Sequence, residues 1–200
     1  VSAQSFQPIP FTNQQTEVKK CATVEVLENM RRANPMAVSD QQFENWLQQK
    51  IRERSLESAR VQAIVTIPVV FHIIHTGQTV GTGANISAAA IQQQLIQLNK
   101  DFGNQNNSPY AVAADMEIRF ALATTDPSGN ILVEPGIDRI NGSSAGFGAG
   151  PYTVGYANPA NNALTNTIKP ATIWDANRYL NIWVLNMESS ILGIATFPAM

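Results

Sequence analysis

Residues 63–74 read Ala-Ile-Val-Thr-Ile-Pro-Val-Val-Phe-His-Ile-Ile, and this stretch decides the fold class. It is β-branched and apolar almost throughout, which predicts a strand buried on both faces in the middle of a sheet. Pro68 lacks the N–H that a strand ladder uses, so its presence here predicts a strand start or a bulge nearby.

A long helix follows this strand. Residues 87–102 place Ile91, Leu95, Leu98 and Phe102 at helical spacing, and Gly103 is expected to cap the helix at its C-terminal end. Apolar residues then alternate with polar ones over residues 116–122, which predicts a half-buried strand.

Shorter apolar stretches predict strands at residues 137–140, 181–186 and 194–197. Residues 142–170 are rich in Gly, Asn, Pro and Ala, and are expected to form a long irregular surface segment, with a short helical turn after it at residues 173–179. From residue 61 onward the order is strand, helix, strand, strand, strand. This order predicts an α/β fold with a mixed sheet and a helix packed on one face.

The chain before the central strand has a different texture. Residues 1–20 are rich in Gln, Thr and Pro and predict an extended arm. A helix is expected over residues 23–33, with Val24, Leu27 and Met30 at helical spacing. A second helix should be capped by Ser39 or Asp40 and carry an apolar stripe of Phe43, Trp46, Leu47 and Ile51. Residues 52–60 are charged and predict an exposed linker.

Composition limits the possible functions of the chain. Its 200 residues carry a net charge of -2, and charged residues make up only 14% of them. A large basic face is not implied, which argues against nucleic acid or an anionic membrane as partner. No apolar run reaches the roughly 18 residues that a membrane span needs. The weakly charged surface is common in exported proteins, and Val1 and Ala3 are either the remnant of a signal-peptide cleavage site or an ordinary terminus.

The sequence contains few groups with obvious chemistry. His72 and His75 are the only histidines; three residues apart on a strand, they should point to opposite faces and cannot chelate one ion together. Residues 126–130 lack the later acidic positions of a calcium loop and are expected to form a turn. The His-Glu-x-x-His, Gly-x-Ser-x-Gly and phosphate-loop motifs are not in the sequence. No complete catalytic constellation is present as the chain is written.

Several segments, taken in order, resemble one family. They are Cys21 with the helix after it, and residues 67–72, 86–102, 118–123, 136–139, 174–184 and 193–198. Together they are similar to the pappalysin family of metzincin zinc peptidases. The resemblance implies residues 1–60 as a propeptide and residues 61–200 as the upper part of a catalytic domain, a twisted sheet with a backing helix.

The resemblance also implies roles for particular residues. An edge strand similar to Gly193, Ile194, Ala195 and Thr196 would pair with the backbone of a protein or peptide substrate. The zinc ligands of the family lie on a His-Glu-x-x-His helix, which would begin just after Met200; any calcium sites would also depend largely on that later part.

Two further roles concern latency. A thiolate at Cys21 would occupy the open zinc position and keep a secreted precursor inactive, so that the propeptide acts as the inhibitor. The neighbouring lysines would favour the thiolate form of Cys21. Cutting at Ala59, Arg60 and Val61 would release it. The chain alone is expected to be inactive.

Three alternatives stay open at this point. The chain could be a non-catalytic secreted α/β binding or adhesion module that ends naturally at residue 200. A cytosolic α/β enzyme is the weakest alternative, because the expected motifs are missing. For Cys21 alone, the competing interpretation is a buried structural thiol.

Overall fold

The computed structural model describes residues 20–34, 36–56, 64–156, 158, 160–188 and 191–195. Strands within these residues are β1 (Lys20–Cys21), β2 (Val65–His75), β3 (Ile118–Leu122), β4 (Ile137–Asn141), β5 (Leu180–Val184) and β6 (Ile191–Gly193). The α-helices are α1 (Thr23–Ala33), α2 (Asp40–Leu56), α3 (Ala88–Phe102) and α4 (Lys169–Thr172), and a π-helical turn at Leu164–Ile168 runs into α4.

Strand β2 is the centre of the main sheet, as its sequence predicts. Its first half pairs with β3 and its second half with β4, while β5 pairs with its middle. Val69 and Phe71 each have partners on both sides, so β3 and β4 lie one after the other along one edge of β2 and β5 lies along the other. The α/β class is confirmed, and every strand pair in the described part of the chain is parallel.

Pro68 lies within β2, at neither a strand start nor a bulge. The N–H groups of Val65 and Phe71 point toward the β3 and β4 edge, where they bond to the carbonyls of Glu117 and Gly136. Residue 68 differs from both by an odd number, so its nitrogen faces the opposite edge. Pairing with β5 begins only at Val69. The proline therefore occupies a position where β2 has no partner on that side, and no ladder bond is lost.

Between β3 and β4 the chain leaves the sheet and returns through a tight loop. Thr125 and Ile131 form an antiparallel bridge, and Asp126 caps the tip by accepting the N–H groups of Ser128 and Asn130. The predicted turn is thus present. Gly136 ends the excursion by donating its N–H to the carbonyl of Ala123 at 2.7 Å.

One face of the sheet packs on α3, as predicted. Val69, Phe71 and Ile73 point to this side and are buried against Ile91. Leu95, Leu98 and Phe102 extend the same contact along the helix. The Ser87 hydroxyl caps the N-terminus of α3 by accepting the N–H of Ala90 at 3.2 Å.

The opposite face is covered by the segment that was expected to lie on the surface. Tyr152, Val154, Leu164 and Ile168 are buried there against Ile74. The expectation is confirmed for residues 143–151, which are mostly exposed. It was wrong for these four residues, because composition hides the few apolar positions between many Gly and Asn residues. The predicted turn at residues 173–179 is present, because the carbonyl of Asp175 accepts the N–H groups of Arg178 and Tyr179. Further helical turns, which the sequence did not predict, lie at residues 164–172.

Helix α1 has the predicted bounds but a different buried face. Ala22 and Val26 are buried, whereas Val24 and Met30 of the predicted stripe are exposed. Ser39 is the cap of α2, because its hydroxyl accepts the N–H of Gln42 while the Gln42 side chain accepts the N–H of Ser39. The apolar stripe of α2 stays partly or largely exposed. None of the described helices is long and apolar enough to cross a membrane.

Candidate functional site

The N-terminal segment pairs with the strand near the other end of the chain. Strand β1 lies parallel to β6, with Lys20 opposite Ile191 and Cys21 opposite Gly193. The N–H of Ala22 donates to the carbonyl of Gly193 at 3.0 Å. The short strand lies at Ile191–Gly193, and the predicted strand residues Ile194 and Ala195 are outside it. Residues 196 and 197, the rest of that prediction, lie outside the described residues.

The four residues predicted to pair with substrate take different places. Gly193 accepts a bond from the N-terminal segment, and Ala195 donates its N–H to the hydroxyl of Thr23 at 2.8 Å. Ile194 is partly buried against the cluster that contains Ile74. Thr196 lies outside the described residues. The backbone groups of Gly193 and Ala195 are thus engaged by residues 22 and 23.

Thr23 connects this strand to the cysteine. Its hydroxyl oxygen accepts from the N–H of Ala195 and lies 3.1 Å from the sulfur of Cys21. A hydroxyl has one hydrogen, and that hydrogen is free because the bond to Ala195 uses a lone pair. Thr23 can therefore donate to the sulfur, which accepts.

The surroundings of Cys21 favour its thiolate. The sulfur is exposed, so the interpretation as a buried structural thiol does not hold. The hydroxyl of Thr23, and then its backbone N–H, lower the pKa of the thiol, while burial and the charge of Glu25 oppose this weakly. Lys19 and the side chain of Lys20 lie outside the described residues, so the predicted effect of the lysines is not among these causes.

Replacing Thr23 with valine is expected to move the alkylation of Cys21 to higher pH. The change removes the donor that lowers the pKa of the thiol, so less thiolate is present at neutral pH. The measurement is the rate of iodoacetamide modification against pH, which reports one site because the chain has one cysteine. Thr23→Ser is the matched control and should retain the wild-type midpoint. Equal midpoints for the valine and serine variants would contradict this role.

His72 is fully engaged inside the fold. Its Nδ1 lies 2.9 Å from Asp138 Oδ2 and its Nε2 lies 2.9 Å from Asn181 Oδ1. The amide of Asn181 is oriented by the backbone of Trp174, whose N–H reaches its oxygen and whose carbonyl accepts from its nitrogen. Both ring nitrogens of His72 therefore face oxygen acceptors, and the ring also stacks on Trp183.

The predicted divergence of the two histidines fits the structure. His72 is buried, while His75 is half-buried at the end of β2 and accepts the N–H of Gly77. No group of three or more His, Cys, Asp or Glu residues that could hold a metal ion occurs within the part of the chain that the structure describes. The donors present fit one ligand at Cys21, not a whole metal site. Residues Ala59, Arg60 and Val61 lie outside the described part.

Two residues of this region were not singled out from the sequence. Thr23 follows the cysteine by two positions, and nothing in its local pattern marks it. Asn29 donates from its side chain to the carbonyls of Gly155 and Tyr156, more than 120 residues away. The available signal was its spacing of seven from Ala22, which places both on one helix face.

Comparison with known proteins finds related solved structures. No profile of a known protein family matches the chain, and no curated protein matches it. A promirolysin variant from Tannerella forsythia is 30% identical, with a TM-score of 0.54, over 86% of this chain and 52% of that one. Mirolysin in complex with a compound numbered 9 is 32% identical, with a TM-score of 0.49, over 68% of this chain and 48% of that one.

Mature mirolysin from the same organism, in complex with a cleaved peptide, is 31% identical. Its TM-score is 0.47, over 68% of this chain and 48% of that one. The chain spans about half the length of the solved structures that it matches.

Proposed function

The chain belongs to the pappalysin family of metzincin peptidases, and on that basis we propose that it is the N-terminal part of a secreted zinc endopeptidase precursor. In this proposal residues 1–60 are the propeptide and residues 61–200 are the upper part of the catalytic domain. The related promirolysin is itself a precursor, and its match extends over 86% of this chain.

The observation that carries the proposal is the position of the N-terminal segment on β6. Ala22 and Thr23 bind the carbonyl of Gly193 and the N–H of Ala195, the backbone groups that a peptide would need for strand addition. A segment in this place blocks a peptide from pairing there. We infer that β6 and the residues after it, through Thr196, align the substrate once the segment has left.

The second part of the proposal concerns Cys21. Its sulfur is exposed, has a lowered pKa, and is held beside β6 by the bond to Thr23. These properties suit a latency ligand for zinc, since thiolate is the form that binds the metal. The other ligands would come from a His-Glu-x-x-His helix outside residues 1–200. Zinc, when bound, supplies a Lewis acid and an activated water for peptide hydrolysis.

Release of the propeptide completes the proposal. In the sequence, Arg60 falls between α2 and β2, outside the described residues, and we propose cleavage at Ala59, Arg60 and Val61. The same strand, β6, would then bind two partners in turn. The propeptide is the inhibitor before cleavage, and protein or peptide substrates occupy the same strand afterward. The related mature mirolysin was solved with a cleaved peptide.

The proposal is tested first by reading the codons after Met200 and then by assaying the complete gene product. A His-Glu-x-x-His sequence within the next 30 or so codons is expected. The purified precursor should hydrolyse peptides slowly, and Cys21→Ala should raise its initial rate by at least about tenfold. One metal–thiolate bond exceeds the roughly 1.4 kcal/mol that corresponds to a factor of ten.

Controls separate latency from other effects. Glu28→Ala, an exposed change on α1, should leave the precursor slow. A chelator should abolish the activity of Cys21→Ala and zinc should restore it. The mass of the processed enzyme should place the new N-terminus within residues 55–64. A stop codon directly after Met200, or no peptide hydrolysis by the Cys21→Ala precursor, would instead favour a non-catalytic module.

A further inference from the structure

Helix α1 presents one narrow face to the rest of the protein. Ala22, Val26 and Asn29 are spaced by four and three residues, so they lie in one row along the helix. Ala22 and Val26 are 0% and 4% exposed, whereas Val24 on the other side is 62% exposed. The row therefore marks a specific contact face on this helix.

The surface that receives this row is built by residues 152–168. Tyr152, Val154, Leu164 and Ile168, which we call the receptor surface, are buried in one cluster with Ala22 and Val26. The backbone of the receptor surface is hydrogen-bonded to the chain that follows β5. The N–H of Tyr152 donates to the carbonyl of Asn186, and the carbonyl of Tyr152 accepts the N–H of Glu188.

Further bonds fix the receptor surface without using α1. The Glu188 carboxylate accepts the N–H of Val154 at 3.0 Å. The carbonyl of Thr153 accepts the N–H of Leu164 at 3.1 Å. The surface is thus shaped by contacts within the catalytic part of the chain, and α1 is an addition to it.

Asn29 anchors the far end of the row. Its amide nitrogen donates to the carbonyl of Gly155 at 3.1 Å and to that of Tyr156 at 3.0 Å. Its own oxygen accepts from Arg32, so the amide is oriented from both sides. Gly155 has a φ of +77°, a conformation that L-residues with a side chain rarely adopt. This glycine forms the sharp turn that brings the two carbonyls to the amide.

None of these contacts involves the sulfur of Cys21. An isolated helix of 11 residues is marginal in water, so α1 needs the receptor surface in order to stay folded. We propose that the receptor surface holds α1, and with it the segment on β6, independently of the thiol. The partner that it fits is a short helix with a small residue, a valine four residues after it and an asparagine seven residues after it.

The consequence for regulation rests on the proposed function, whereas the docking itself does not. If the segment is inhibitory, losing the thiol frees a metal position but leaves β6 covered. Full release then requires α1 to leave the receptor surface. Latency would have two separable parts, one chemical at Cys21 and one steric at α1.

Amide hydrogen exchange of the 200-residue chain tests the docking. Val26→Ala and Asn29→Ala should each speed exchange across α1 by about tenfold. Val26→Ala removes buried methyl groups, and Asn29→Ala removes two hydrogen bonds. Alanine has a higher helix propensity than valine or asparagine, so faster exchange cannot come from a weaker isolated helix. Val24→Ala is the matched exposed control and should leave exchange unchanged, as should Cys21→Ala.

Exchange in β2, measured in the same experiment, shows whether the domain remains folded, and it should not change in any variant. Wild-type exchange in both Val26→Ala and Asn29→Ala would overturn the proposal. So would an equally large increase in Cys21→Ala, or faster exchange in β2 together with α1. Peptide hydrolysis plays no part in these readouts, so a failure of the proposed peptidase function would leave their result unaffected.

Discussion

Replacing Gly136 with alanine is expected to destabilise the protein by about 4 kcal/mol. Gly136 has a φ of +67°, and a β-carbon on it would lie 2.8 Å from Cβ and 3.1 Å from Cα of Leu122. Those atoms belong to or adjoin the backbone of β3, so a side-chain rotation cannot relieve the clash. Movement of the loop would break the bond from Phe71 to the carbonyl of Gly136 in the centre of the sheet.

Gly129 provides a matched control for this prediction. It has a φ of +88°, and a β-carbon on it would meet nothing within 4 Å. Gly129→Ala therefore reports the backbone strain alone, about 1 kcal/mol. Urea unfolding of both variants gives the difference in the free energy of unfolding. Equal losses in the two variants would show that Leu122 yields to the added carbon and that the close packing is not required.

Replacing Asp138 with alanine is expected to remove about 3 kcal/mol from the free energy of unfolding. His72 is fully buried, and without Asp138 its Nδ1 has no acceptor in the protein. A buried hydrogen-bonding group that is left without its partner costs about 1–3 kcal/mol. The upper end applies here because the side chain of His72 is 0% exposed.

Replacing His72, the other member of the pair, should lower the free energy of unfolding by less. In His72→Leu the carboxylate of Asp138 can turn to solvent, and Asn181 still accepts the N–H of Trp174. We expect a loss of about 1–2 kcal/mol, mostly from the stacking contact with Trp183. Intrinsic fluorescence of the three tryptophans, Trp46, Trp174 and Trp183, follows the urea unfolding of both variants. Asp101→Ala, an exposed carboxylate on α3, is the control and should change stability by less than about 0.5 kcal/mol. A loss in Asp138→Ala no larger than that of Asp101→Ala would rule out the buried pair as a stabilising feature.

Local patterns were reliable where one element supplies its own signal. The apolar run of β2 places it in the middle of the sheet, and the stripe of α3 with its Ser87 cap predicts both the helix and its packing face. These features depend on period and capping within about 15 residues, so a single sequence contains them. The turn at residue 126 belongs to the same group.

Contacts between distant residues were not readable in the same way. The stripe of Val24, Leu27 and Met30 is a valid helical pattern, yet α1 turns Ala22 and Val26 inward. The reason is that the side chain of Asn29 donates to the carbonyls of residues 155 and 156, and the N–H of Ala22 donates to the carbonyl of Gly193. Tyr152, Val154, Leu164 and Ile168 are buried because they cover the sheet face that carries Ile74. The composition of residues 142–170 does not express that contact.

The sequence by itself determined the central strand, the helix behind it, the α/β class and the resemblance to one peptidase family. Each of these follows from the order of apolar and polar residues along short segments. Only the tertiary structure decided that the segment at Cys21 lies parallel on β6 and that α1 is held through Ala22, Val26 and Asn29. Backbone pairing carries almost no sequence signature, because every residue offers the same N–H and carbonyl groups.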